Sequence, residues 1–168
     1  MQHKSFFLHS LTPQTACVMN FITYERAYSL YPRGTFGDRQ SLATNIAMRG
    51  VMNYRDERAY QKYKARGWKI YIQPTMKMFE ASHSAFAPSP RQVGDSKCWT
   101  IPISPKLDFP PSAIEGNTWA LQYDDFMPRI SFSVLTSHQL GVSYTVAPKV
   151  MKQLRHLLAR NCLVPPTL

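Results

Sequence analysis

Between Pro74 and Gly116 the chain carries seven prolines in 43 residues, and no other feature of the sequence limits its fold as strongly. A proline ring removes a backbone donor and fixes one dihedral, so neither a long helix nor a central strand can run through such a stretch. Residues 74–116 are therefore expected to be mostly irregular chain laid over a surface, with one strand, Cys98 to Ile103, embedded in it. Regular structure has to come from the two flanks.

Upstream, Thr12-Pro13 has the form of a helix start and Pro32-Arg33-Gly34 that of a stop, which predicts a helix from Thr12 to about Tyr31. Gly37-Asp38 then opens a second helix with Leu42, Ile46 and Val51 on one face. Asn53 caps a third, Tyr54 to Arg66, that ends at Gly67, where a left-handed residue costs little. Trp68 to Ile72 reads as a strand. Downstream, Trp119–Tyr123, Arg129–Leu135 and Val142–Val146 alternate apolar and polar residues, the pattern of an antiparallel meander, with Ile130, Phe132 and Val134 on one face. Pro148 begins a last helix whose Val150, Leu154, Leu157 and Leu158 form a stripe to dock on that sheet.

Helices, then strands, then a helix make the fold class segregated α+β. The expectation is a single α+β domain over 1–168. It has a basic helical lobe at 1–67 and an antiparallel sheet of four or five strands within 68–147. That segment includes the proline-rich irregular insertion at 74–116, and an amphipathic C-terminal helix follows at 148–162. A hydrophobic content of 44% is ample for the core such a domain needs.

Charge is distributed as unevenly as proline. Residues 26–77 hold eleven Lys or Arg against three acids, whereas Glu80 to Pro148 holds four against six. Such a field attracts phosphates or an anionic membrane at long range without naming either. On the third helix, at ~100° per residue, Arg55, Arg58, Lys62 and Arg66 fall within an arc of about 80°, with Ala59, Tyr60 and Tyr63 alongside. Trp68 and Lys69 continue the texture into the next strand, and Arg49 and Lys77 flank it. Cations meet phosphates and aromatic faces stack bases. The leading expectation is therefore a non-catalytic, intracellular protein that binds RNA, DNA or another polyanion. Arg55, Arg58, Lys62, Arg66 and Lys69 would contact phosphates, and Tyr60, Tyr63 and Trp68 would stack. An alternative is a self-associating structural or assembly protein whose basic face meets nucleic acid or anionic membrane.

A third class is a small enzyme. Asp124-Asp125 places two carboxylates at a strand end, where paired acids can hold a divalent cation for a metal-dependent nuclease, although neighbours on a strand point apart. Asp95-Ser96-Lys97 has an acid-x-lysine spacing but no apolar strand leading into it, and Gly94-Asp95-Ser96 has no Asp-x-x-His downstream to supply a base. The five histidines and the cysteines Cys17, Cys98 and Cys162 show no ligand spacing, so no metal or cofactor is implied and the catalytic residues stay unknown. Arg33 to Gly37 could cradle an anion before a helix, but Asp38 would occupy and repel that position, which makes it a structural loop. No run of ~18 apolar residues spans a bilayer, and the start lacks the apolar core of a secretory signal. Three widely spaced cysteines with no even framework complete the expectation of an intracellular location.

Overall fold

Phe21-Ile22-Thr23 and Arg26-Ala27-Tyr28 lie where a helix was expected, yet their aromatic and β-branched side chains favour extended chain, and they pair as a hairpin. Thr23 makes the turn: its hydroxyl accepts the Arg26 N–H at 3.0 Å while its own N–H donates to the Arg26 carbonyl at 2.8 Å. The Phe21 and Tyr28 rings then stack across the strands with centroids 4.9 Å apart. The hairpin belongs to a computed structural model that describes residues 11, 15–44, 52, 54–80, 84–103, 113–125, 127–137 and 142–161.

In chain order the strands are β1 (Asn20–Ile22), β2 (Arg26–Ser29), β3 (Gln40–Leu42), β4 (Lys69–Tyr71), β5 (Ser89–Gln92), β6 (Trp99–Pro102), β7 (Thr118–Asp124), β8 (Met127–Ser131), β9 (Ser133–Ser137) and β10 (Val142–Val146). Among the described residues the α-helices are α1 (Tyr54–Ala65), α2 (Met76–Glu80) and α3 (Pro148–Asn161), and Leu11 is helical as well. Mixed α+β character holds. The arrangement differs from the expected one: the strands form four small sheets, ordered β1-β2-β6, β3-β4, β5-β7-β8 and β9-β10, and there is no helical lobe at the N-terminal end of the described chain.

Over the described residues the first expected upstream helix is replaced, and the second does not start at Gly37-Asp38. A short 3-10 turn at Ala16–Val18 leads into β1, and the Thr12-Pro13 start lies outside the described residues. At Arg33–Gly37 the chain makes one wide π-type turn, closed by the Asp38 N–H on the Arg33 carbonyl at 2.9 Å. Arg39 then takes a left-handed conformation (φ 49°) and delivers the chain into β3 instead of a helix. Residues 45–51 of that expected helix lie outside the described residues.

The third helix, α1, is where the sequence placed it. Gly67 ends it with φ +91°, and the Trp68 and Gly67 N–H groups donate to the Tyr63 and Lys64 carbonyls at 3.1 and 2.9 Å, which satisfies two of the last-turn acceptors. Gln40, Ser41 and Leu42 lie opposite Lys69, Ile70 and Tyr71 in parallel, so α1 occupies a crossover between two parallel strands and not a lobe of its own. Tyr60 packs with Ala43, Ile70 and Met127 beneath it.

The main core gathers Met19, Leu30, Leu42, Trp119 and Leu121, all with almost no exposed surface. The segment expected to be irregular contributes to this core, because β5 pairs with β7 and Phe86 and Val93 are buried. The expected strand Arg129–Leu135 breaks at Phe132 into β8 and β9; Ile130 is buried while Val134 stands half exposed on the β9-β10 hairpin. Helix α3 is held at its start, where the Ala147 N–H reaches the Thr118 hydroxyl at 2.9 Å, but Leu157, meant to dock, is 56% exposed. The Leu158 side chain lies outside the described residues. Among the described residues no helix is long and apolar enough to cross a membrane.

Candidate nucleic-acid interface

The crossover fixes which face of α1 meets water. Asp56 and Tyr60, one turn apart, point inward and are buried, so the opposite side of the helix, carrying Arg55, Arg58 and Lys62, faces out. Arg66, in the turn after the helix, and Lys69, on β4, are exposed as well. Among the described residues none of these five cations forms an ion pair with an acid. The guanidinium of Arg39 extends the series, lying against Gly67 at the helix end.

The three aromatic residues expected to stack bases meet different fates. Tyr60 is 3% exposed, and burial, with the Asp56 carboxylate beside it, pushes its hydroxyl up to about 12; it is core and offers no ring face. Trp68 is half-buried and its indole N–H donates to the Thr35 carbonyl at 3.0 Å, docking the end of α1 onto the Arg33–Gly37 turn. Tyr63 meets the Trp68 ring edge-on at 6.4 Å between centroids, and the Arg66 guanidinium sits 5.9 Å from the centre of its ring. Tyr63 and Trp68 therefore act first as the joint that orients the basic ridge.

An aromatic residue that sequence reasoning passed over stands free of the core. Tyr54, the first residue of α1, is 77% exposed and lies one turn before Arg58. Its helical phase puts it on the basic side, about 40° from Arg58, a signal present in the sequence once the inward direction of the helix is known.

Beyond the joint, the Arg33–Gly37 turn borders a groove of about 470 Å³ whose other wall is the Ser96–Trp99 segment. Phe36 and Trp99 stack nearly parallel across it, with 6° between planes and 5.4 Å between centroids. Beneath this wall Arg91 is buried and clasps Asp95 through two hydrogen bonds of 2.6 and 2.9 Å, while also donating to the Leu30 carbonyl at 3.1 Å. Its guanidinium lies 5.1 Å from the Tyr31 ring centre and 5.5 Å from that of Trp119, whose indole N–H donates to the Tyr31 hydroxyl at 3.1 Å. Burial alone would raise the Asp95 carboxyl, but the Arg91 hydrogen bonds outweigh it and hold the group below the usual carboxylate value. Cys98, beside the clasp, is pushed up to about 11 by burial despite the nearby guanidinium, which leaves it a protonated thiol at neutral pH.

Asp95 is thus consumed by an internal ion pair, and the acid-x-lysine spacing at Asp95-Ser96-Lys97 serves the groove wall. Asp124 lies 2.6 Å from the Arg129 guanidinium, and Asp125, exposed and left-handed at φ 49°, forms the turn between β7 and β8. Among the described residues no group of three or more His, Cys, Asp or Glu side chains is gathered that could hold a metal ion. No family model matches this chain, and no curated protein and no solved structure matches it, so its own residues carry the functional reading.

Proposed function

We propose that the protein binds nucleic acid without catalysis, through the ridge formed by Arg55, Arg58, Lys62, Arg66 and Lys69. The observation that supports it is the orientation of α1: Asp56 and Tyr60 turn inward, leaving five exposed cations with no acid paired to them among the described residues. A polyanion threaded along them releases counterions for each phosphate it neutralises. Tyr54 takes the stacking role first given to Tyr60, and Arg39 continues the track towards the Arg33–Gly37 turn.

Fluorescence anisotropy with labelled single-stranded RNA, duplex RNA and duplex DNA across a salt series tests this. Five phosphate contacts give a slope of log K against log salt of about −3.5 on a single strand, and the Arg55→Ala, Arg58→Ala, Lys62→Ala variant flattens it by about 2. Salt-sensitive binding that survives this triple replacement unchanged overturns the assignment.

A second reading, self-association, draws on the outward face of the β1-β2-β6 sheet. Ile22, Ala27 and Ile101 form one row across its three strands, and Ile22 is 70% exposed. Strand β6 is paired on one side only among the described residues, so a second copy can add its own β6 antiparallel about a two-fold axis. Light scattering over a concentration series, with Ile101→Lys as the control, separates a dimer from a monomer; a monomer at all concentrations removes this reading.

A further inference from the structure

We infer that the groove between the Arg33–Gly37 turn and the Ser96–Trp99 segment is a binding site for a nucleobase carrying a phosphate. The ring lies on the exposed Phe36–Trp99 stack, and the phosphate meets Lys97. This deepens the nucleic-acid reading and rests on it for the source of the ligand, but it stands on different residues.

The groove's volume of about 470 Å³ falls in the range of small-molecule sites and suits a single nucleotide. Two large aromatic rings stand half in water, Phe36 at 53% and Trp99 at 49%. Their centroid separation of 5.4 Å is too small to admit a ring between them, so a planar ligand extends the stack from outside.

Charge at the groove selects an anion. Lys97 is exposed and its ammonium forms no ion pair among the described residues. Arg33 lines the same groove and lies 3.7 Å from Asp38, with both side chains largely exposed. Ser84 and Ser96 place two hydroxyls in the same lining, able to donate to or accept from a base edge.

The walls are also stiff. The pair of buried Arg91 and partly exposed Asp95 fixes one side, with Asp95 accepting the Lys97 backbone N–H at 2.9 Å. The Trp68–Thr35 hydrogen bond fixes the other, one residue from Phe36. Rigid walls let stacking energy appear as affinity instead of being spent on ordering the site.

The test is calorimetric titration of the full chain with adenosine 5′-monophosphate, adenosine and inorganic phosphate, run beside anisotropy with single-stranded RNA. Folded Phe36→Leu and Lys97→Ala variants, verified by far-ultraviolet circular dichroism, serve as groove variants; both residues are exposed. The monophosphate is expected to bind at least tenfold tighter than either fragment, with Phe36→Leu weakening it about tenfold. Lys97→Ala should erase most of the preference for the monophosphate over adenosine. Monophosphate affinity unchanged in both variants, or absent from the wild-type protein, overturns the site even if RNA still binds through the ridge. RNA affinity that falls with the ridge replaced and the groove intact, while monophosphate binding persists, supports two separate sites. Monophosphate binding without any RNA binding supports the groove and removes the ridge.

Discussion

The Trp68 indole nitrogen lies 3.0 Å from the Thr35 carbonyl oxygen, and this one hydrogen bond joins the end of the basic helix to the turn that carries Phe36. Thr35 is buried, so its carbonyl depends on protein donors. Trp68→Phe keeps a ring for Tyr63 to meet but removes the donor. A loss of about 1 to 3 kcal/mol in urea unfolding is expected, the cost of an unsatisfied buried acceptor. No shift in the unfolding midpoint would mean that the joint contributes no stability.

Arg91 and Asp95 set an acid limit. The Asp95 carboxyl is held below its ordinary value, so its stabilising contribution is complete above the unfolded carboxylate value of ~3.9 and is lost as pH falls through the folded one. Asp95→Asn is expected to cost about 3 to 5 kcal/mol at neutral pH, because Arg91 stays buried without its anion. The variant's stability should also vary less with pH below ~4 than that of the wild-type protein. Denaturant unfolding at several pH values reads both effects; parallel curves for the two proteins would refute the linkage.

Tyr54 and Tyr60 separate binding from packing. Tyr54→Ala is expected to leave stability within about 0.5 kcal/mol while lowering single-stranded RNA affinity roughly fivefold or more. Tyr60→Ala is expected to cost about 3 to 5 kcal/mol, comparable to other large-ring truncations in a core. If Tyr54→Ala binds as tightly as the wild-type protein, the stacking role of that ring is lost.

Gly34 is required by space. A Cβ built there comes 2.6 Å from Cζ of the buried Phe86 ring, and Gly34→Ala should cost about 1 to 3 kcal/mol through the forced shift of a packed aromatic. Thermal unfolding of Gly34→Ala beside Gly37→Ala, where the nearest atom is 4.0 Å away, isolates the steric part.

The parts of this fold that could be read from sequence are those whose signals are local. Helix α1 has a glycine in the right place to end it and a basic phase opposite its buried residues, β7 keeps Trp119, Leu121 and Tyr123 at alternate positions, and β10 alternates Val142, Tyr144 and Val146 with Ser143 and Thr145. The first hairpin was hidden because Thr12-Pro13 and Pro32-Arg33-Gly34 bracket the run like the two ends of one helix, whereas what makes Asn20–Ser29 extended is tertiary. Tyr28 pairs with Thr100 on β6 and donates to Glu115 at 3.1 Å, both far along the chain. The groove was hidden for the same reason: Phe36 and Trp99 come together only when the turn after β2 folds over the start of β6, inside the proline-rich segment. Among the described residues between 74 and 116 the elements are short, and the proline content did not exclude β5, whose Pro90 sits opposite Ala120.

The parallel pairing of β3 with β4 also has a kinetic meaning. Every antiparallel neighbour joined by a tight turn can zip from that turn, but Leu42 meets Tyr71 only after the whole stretch containing α1 has looped back. The entropy of closing that loop is lost before any of its contacts form, which makes this a slow step in reaching the native state. A nascent or partly unfolded chain therefore carries all the charge of the ridge without its direction. Under the proposed function, a polyanion that recognises only the aligned ridge would also select chains in which the loop has closed and so stabilise the folded state.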